Sequence, residues 1–208
     1  MLGYKISRIL FLILLKTCHG FKVYGREHLP KKGPFICACN HLSYGDPACV
    51  GIACNTQPLH FMAKKELFKS KKWGWWFRLM GCIPISRDKK DYKATKEVAM
   101  LAKKSKCIAI FPEGRRSKNK MFQKAETGAG FLAIKLGIPV IPMRVFGTDQ
   151  ALTIENKYNI GKNIRLCIGA AIDFSETKSI LDKKEKYIKA SEKIMHEISR
   201  LNYENINS

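Results

Sequence analysis

Seven short apolar runs punctuate this chain, at residues 21–24, 35–39, 59–62, 82–85, 107–111, 138–146 and 164–168. Each is four to nine residues long, short for a core helix and rich in Ile, Val, Phe and Cys, as strands buried on both faces are. Helix-like segments lie between many of them, at 47–54, 64–69, 73–80, 90–104 and 127–136. A last segment, 179–201, sets Leu181, Ile188, Met195 and Ile198 on one stripe opposite lysines and glutamates, the pattern of an amphipathic helix packed on a body. Strand and helix in alternation predict one α/β domain, a mixed, largely parallel sheet flanked by helices. With no internal repeat and no low-complexity linker, the chain divides into an N-terminal helix over 1–20 and a single domain over 21–208.

The charge balance narrows the partners. Lys and Arg number 38 against 17 Asp and Glu, a formal net charge of +21. Such an excess calls for an anionic counterpart: nucleic acid, an anionic membrane surface or a phosphorylated substrate. The basic residues are spread along the chain and no recognised nucleic-acid motif occurs, so nucleic acid is not the expected partner. The eight cysteines form no CxxC pair and sit in apolar stretches such as FICAC and KCIAIF. They read as small buried hydrophobes in a reducing compartment, not as a disulfide frame or zinc site.

At the N-terminus, Lys5 and Arg8 precede an apolar run over residues 9–15, and Lys16 follows it. A bilayer span needs about 20 apolar residues, so this run is too short to cross. No small-x-small cleavage site follows it. A helix lying in the membrane interface, held by basic residues at both ends, is expected over a plain core helix. The expected location is therefore peripheral on a membrane, at its cytoplasmic face. The aromatic stretch Trp73-Gly74-Trp75-Trp76-Phe77 suits either an interface or a core.

The octet NHLSYGDP, residues 40–47, follows directly on the strand-like FICAC. Asp46-Pro47 is a good helix start, with the aspartate as cap and proline in the first turn. His41 and Asp46 therefore sit on the loop leaving the carboxyl end of a strand, where open α/β sheets hold ligands. On a continuous helix, five residues apart, they would point about 140° from each other. A turn eased by Gly45 can instead bring the carboxylate to the imidazole and leave the other ring nitrogen free as a base. A turn without chemistry and a catalytic dyad both remain open. A metal site lacks further ligands, since His19, His28, His60 and His196 show no metal spacing. Ser43 is a weak candidate nucleophile.

Two further stretches repeat the arrangement of strand, turn and cation. IAIFPEGRRSK, residues 108–118, places Glu113, Gly114, Arg115 and Arg116 after an apolar run. Gly114 frees the turn, and the two guanidinium forks suit a phosphate. GCIPISR, residues 81–87, ends on Arg87. A strand-end histidine with two strand-end arginine sites points to a phosphate-bearing substrate with a hydroxyl to deprotonate.

In order and spacing, NHLSYGDP, GCIPISR, FPEGRRS and IPVIPM resemble the four successive motifs of the glycerolipid acyltransferases, nearest to those that acylate 1-acylglycerol 3-phosphate. The likeness runs over roughly residues 1–150. It implies that His41 is the general base and Asp46 its orienter, and that an acceptor hydroxyl attacks an acyl thioester directly. It implies that Arg87, Glu113, Gly114 and Arg116 bind the phosphate and glycerol of a lysophospholipid acceptor, and that Pro142 packs in the fourth motif near the acyl donor. The donor would be an acyl carrier protein or coenzyme A thioester, with no metal or organic cofactor. Arg115 departs from the family pattern, which has threonine there; the second guanidinium implies either stronger phosphate binding or a different acceptor head group.

Overall fold

The apolar runs pair edge to edge because a strand buried on both faces can satisfy its amides only on neighbouring strands. The structure is a computed structural model that describes residues 2–85, 92–104, 106–117, 119, 121–153 and 157–204. In chain order it runs α1 (Leu2–His19), β1 (Lys22–Tyr24), β2 (Ile36–Cys39), α2 (Asp46–Ala53), β3 (Leu59–Lys64), α3 (Lys71–Leu79), β4 (Ile83–Ile85), α4 (Tyr92–Lys103), β5 (Cys107–Ile110), α5 (Thr127–Leu136), β6 (Val140–Phe146), α6 (Thr148–Ala151), β7 (Arg165–Ile168) and α7 (Lys183–Arg200). The strands form one sheet in the order β1-β7-β6-β2-β5-β3-β4. Every pairing is parallel except β6 with β7 among the described residues. The mixed, mostly parallel α/β domain read from the sequence is the observed fold.

Alternation along each strand divides the core into two layers. In β2, Cys37 and Cys39 face the side of α1 and α2, with Cys49, Val50, Phe61 and Met143. Ile36 and Ala38 face the side of α4, α5 and α7, with Val98, Ile108, Leu132, Ile194 and Ile198. The sheet is thus the middle of three layers. All eight cysteines are free, and six of them are buried, which matches their reading as small core residues.

α1 is built into the body. Leu15 is buried in the core, with Phe11 and Leu12 packed against it. The Tyr4 hydroxyl accepts the Leu59 amide at 3.3 Å, and Phe11 meets Trp76 of α3 at 6.3 Å between ring centroids. On the opposite layer α5 and α7 approach at Gly130, whose amide donates to Ser191 Oγ at 2.9 Å.

Three sequence expectations change in detail. Residues 64–69 are no α-helix: Lys64 ends β3, and Lys65–Phe68 make only a 3-10 turn. Leu181 lies outside α7 and is 96% exposed, because Asp182 caps the helix by accepting the Glu185 amide at 2.7 Å. Met195 packs against the core as expected, beside the fully buried Ile194. The aromatic stretch divides: Trp75 is 65% exposed, while Trp76 meets Phe11 at a tilt and Phe77 edge to face.

Candidate active site

β2 lies between β6 and β5 and parallel to both, so their carboxyl ends open side by side onto one edge of the sheet. The loops leaving that edge carry His41, residues 113–116, and residues 147–153 and 157–163.

The His41 loop curls around one oxygen of Asp46. Oδ2 accepts from His41 Nδ1 at 2.8 Å, the Leu42 amide at 2.6 Å and the Ser43 amide at 2.8 Å. Asp46 is fully buried. A carboxylate that already receives amide hydrogens requires Nδ1 to be the protonated ring nitrogen. Nε2 then carries the free lone pair, and it makes no hydrogen bond among the described residues. The ring is further fixed by stacking on Phe111 at 4.1 Å and 19°.

The capping expectation for Asp46 fails in its detail. The carboxylate turns back to the loop amides and the imidazole and makes no bond to the amides of its own helix. Pro47 does stand in the first turn of α2. Gly45 has φ −78°, so the turn does not demand glycine. Ser43 is no nucleophile in this geometry: its hydroxyl is buried, donates to the Leu152 carbonyl at 2.9 Å and accepts the Gly45 amide at 3.2 Å.

FPEG closes a turn in which the Gly114 amide donates to the Phe111 carbonyl at 2.9 Å. Proline at the second position and glycine at the fourth are the residues such a turn favours. Gly114 has φ +66°, a left-handed conformation that strains any residue with a Cβ, so the turn favours glycine here. The turn buries Glu113, whose Oε1 accepts the His41 amide at 2.9 Å and whose Oε2 accepts the Gln123 amide at 3.0 Å. Glu113 is therefore a brace between the histidine loop and the segment following FPEG. Burial pushes its carboxyl above the ordinary value, opposed by those two amide bonds. The Ser117 amide completes the junction by donating to the His41 carbonyl at 2.8 Å.

Arg115 is exposed, and Arg116 lies flat on Tyr44 with its guanidinium carbon 3.6 Å from the ring centroid. Nη1 of Arg116 is buried without a protein acceptor among the described residues. Arg87 lies outside the described residues. Pro142 sits within β6, buried and in register with Ala38 of β2, so it belongs to the sheet interior and not to the loop edge.

A cleft of about 510 Å³ opens beside the imidazole. Met62, Ile85, Ile110, Phe111 and Ala129 give it apolar walls, and Lys64 and Arg115 stand on it as cations. Sequence reading missed several residues that build this place. Asn40 accepts the Val145 amide at 2.8 Å and donates to the Val145 carbonyl at 3.1 Å, a rung that ties β2 to β6 beneath His41. Phe111, Tyr44 and Gln123 were also missed. Each adjoins a recognised motif, but nothing in one sequence reports stacking or an amide's partner.

The sequence model of a family described as Acyltransferase matches residues 20–146. The chain is 28% identical over 201 residues to the 1-acyl-sn-glycerol-3-phosphate acyltransferase of Bacillus subtilis, spanning 95% of this chain and 96% of that one. It is 27% identical over 204 residues to the protein of the same description from Streptococcus pneumoniae, spanning 97% and 74% of the two chains. Its fold is like the crystal structure of the 1-acyl-sn-glycerophosphate acyltransferase PlsC from Thermotoga maritima. That superposition has a TM-score of 0.70 at 23% identity and spans 97% of this chain and 79% of that one.

Proposed function

The chain belongs to the acyltransferase family, and from that premise we propose that it transfers a fatty acyl group from an acyl thioester to the free hydroxyl of 1-acylglycerol 3-phosphate. The observation that carries the reading is the His41–Asp46 contact at 2.8 Å, which leaves Nε2 free beside a cleft with apolar walls and cations. A relative of nearly equal length named for this reaction supports the acceptor.

In this reading Nε2 takes the proton from the acceptor hydroxyl as its oxygen attacks the thioester carbonyl. The tetrahedral adduct collapses, the carbon–sulfur bond breaks, and the imidazolium returns the proton to the departing thiolate. Asp46 stabilises the imidazolium and holds the tautomer. A thioester is already activated, so a base and an oxyanion site are what the protein must supply, each worth about 10²- to 10⁴-fold. With the Ser43 hydroxyl committed to Leu152, direct transfer is favoured over an acyl-enzyme. Arg116, with one donor unmet, would take the acceptor phosphate together with Arg115 and Arg87, and Gly114 of the FPEG turn would sit against its glycerol, with Glu113 behind it as the brace of the loop. The apolar cleft suits an acyl chain. The donor is an acyl carrier protein or coenzyme A thioester, and the reaction calls for no metal or organic cofactor.

A lysolipid acceptor resides in a bilayer. No described helix is long and apolar enough to cross one, but α1 leaves Ile6, Ile9, Leu10, Ile13 and Leu14 exposed along one face, as a helix lying in the interface would. Trp75, on α3 beside it, is exposed as well.

The reading is tested with purified protein, both donors, and a panel of lysolipids and glycerol 3-phosphate. His41→Ala is expected to lose about 10²- to 10⁴-fold in turnover, and Asp46→Asn to lose a comparable factor without unfolding. Wild-type rates in either variant would overturn the dyad.

A further inference from the structure

Three loops leave the carboxyl edge around His41, and the last two carry large apolar side chains into solvent. After β5, Met121 is 66% exposed and Phe122 beside it is also exposed. Between β6 and β7, Ile160 is 69% exposed and Tyr158 about half so. The loops belong to one rim, because a single cleft of about 440 Å³ is lined by Leu42 of the first, Met121 and Phe122 of the second, and Gln150 and Asn163 of the third. Exposed Lys124, Lys157 and Lys162 bracket both tips.

Neither tip is loose. The Met121 turn is closed by the Ser117 hydroxyl, which donates to the Met121 carbonyl at 2.7 Å, and is held to Glu113 through the Gln123 amide. The Ile160 turn is fastened to the end of α1. The Gly161 amide donates to the Cys18 carbonyl at 2.9 Å, and the Ile164 amide to the His19 carbonyl at 3.1 Å. Buried His19 spans the turn, donating from Nδ1 to the Lys162 carbonyl at 3.0 Å and accepting the Tyr158 hydroxyl at Nε2 at 2.8 Å.

A single exposed apolar side chain is ordinary on a soluble protein. Two hydrogen-bonded apolar tips bracketed by lysines, on the carboxyl edge that also carries His41, match a bilayer in both chemistry and shape. We propose that this rim is a second lipid-contacting surface, distinct from the exposed face of α1, which inserts Met121 and Ile160 and sets the mouth of the site on the membrane. The proposal rests on the reading of the acceptor as a membrane lipid.

The test is flotation of the full chain with vesicles of phosphatidylcholine, which isolate the apolar contribution, and of phosphatidylcholine mixed with phosphatidylglycerol. The double variant Met121→Ser with Ile160→Ser is expected to partition at least about tenfold more weakly to both, since each lost side chain is worth roughly a factor of ten or more if buried. Its turnover on a short-chain lysolipid below the micellar concentration should stay within about twofold of the parent. Met121→Trp and Ile160→Trp should each strengthen partitioning. Undiminished flotation of the double serine variant overturns the rim contact. If the parent acylates no lysolipid while the serine variant still loses vesicles, the acceptor reading fails and the rim contact stands.

Discussion

Asp46 gathers three donors on one carboxylate oxygen, so the residue that orients the histidine also holds the loop that carries it. A change at such a position acts on geometry and chemistry together, whereas Tyr44 separates the two. Its half-exposed ring lies against Arg116 and makes no contact with the imidazole that would carry a proton. A guanidinium on an aromatic face is worth about 0.5–2 kcal/mol and is held flat with its edge donors free for a phosphate. Tyr44→Leu is therefore expected to raise KM for the phosphate-bearing acceptor by about 3- to 30-fold with kcat little changed. Tyr44→Phe, which keeps the ring, should restore most of it. Steady-state kinetics with varied acceptor checks this, and a loss confined to kcat would count against a role through Arg116.

At the scale of elements, α5 and α7 approach closely at Gly130. A Cβ on Gly130 would collide with the Tyr187 carbonyl and stand 2.7 Å from the Ser191 amide, both of them backbone atoms of α7 that cannot rotate away. Gly130→Ala should destabilise the fold by about 2–4 kcal/mol despite alanine's better helix propensity, read as a lower midpoint in urea. Gly128→Ala, two residues earlier where a Cβ meets open space, should be neutral or stabilising by a few tenths. α1 shows the same dependence on which face is touched. Its buried side reaches the core through Leu15, so deleting the helix would expose that core. Substitutions on Ile9 or Ile13, both exposed, remove apolar surface without touching it.

For the whole molecule, a net charge of +21 acts over a Debye length of about 8 Å at physiological salt and about 3 Å at 1 M. Basic residues near an anionic leaflet contribute about 1 kcal/mol each, so a few suffice for recruitment. Partitioning to vesicles containing phosphatidylglycerol should fall at least about tenfold between 0.1 and 1 M salt. Partitioning to phosphatidylcholine alone should change little. Equal salt sensitivity on both would mean that charge is not what draws the protein to the leaflet.

Local patterns wrote much of this protein. Apolar runs of strand length, helix periodicity and the turn residues of FPEG depend on neighbours in the chain, so the α/β class and the strand positions are legible in the amino-acid sequence, which also nominates His41 and Asp46 but leaves their pairing open. Strand order is not, because β2 meets β5 and β6 only across long connections that leave no periodic trace. For the same reason the sequence can nominate Glu113 as a site residue but cannot show it bracing the His41 amide 72 positions away. Nor can it tell that Asp46 turns its carboxylate away from its own helix, or that the tips at Met121 and Ile160 share one rim. Those facts follow from which backbone donors and which surfaces the folded chain brings together, and only the tertiary structure decides that.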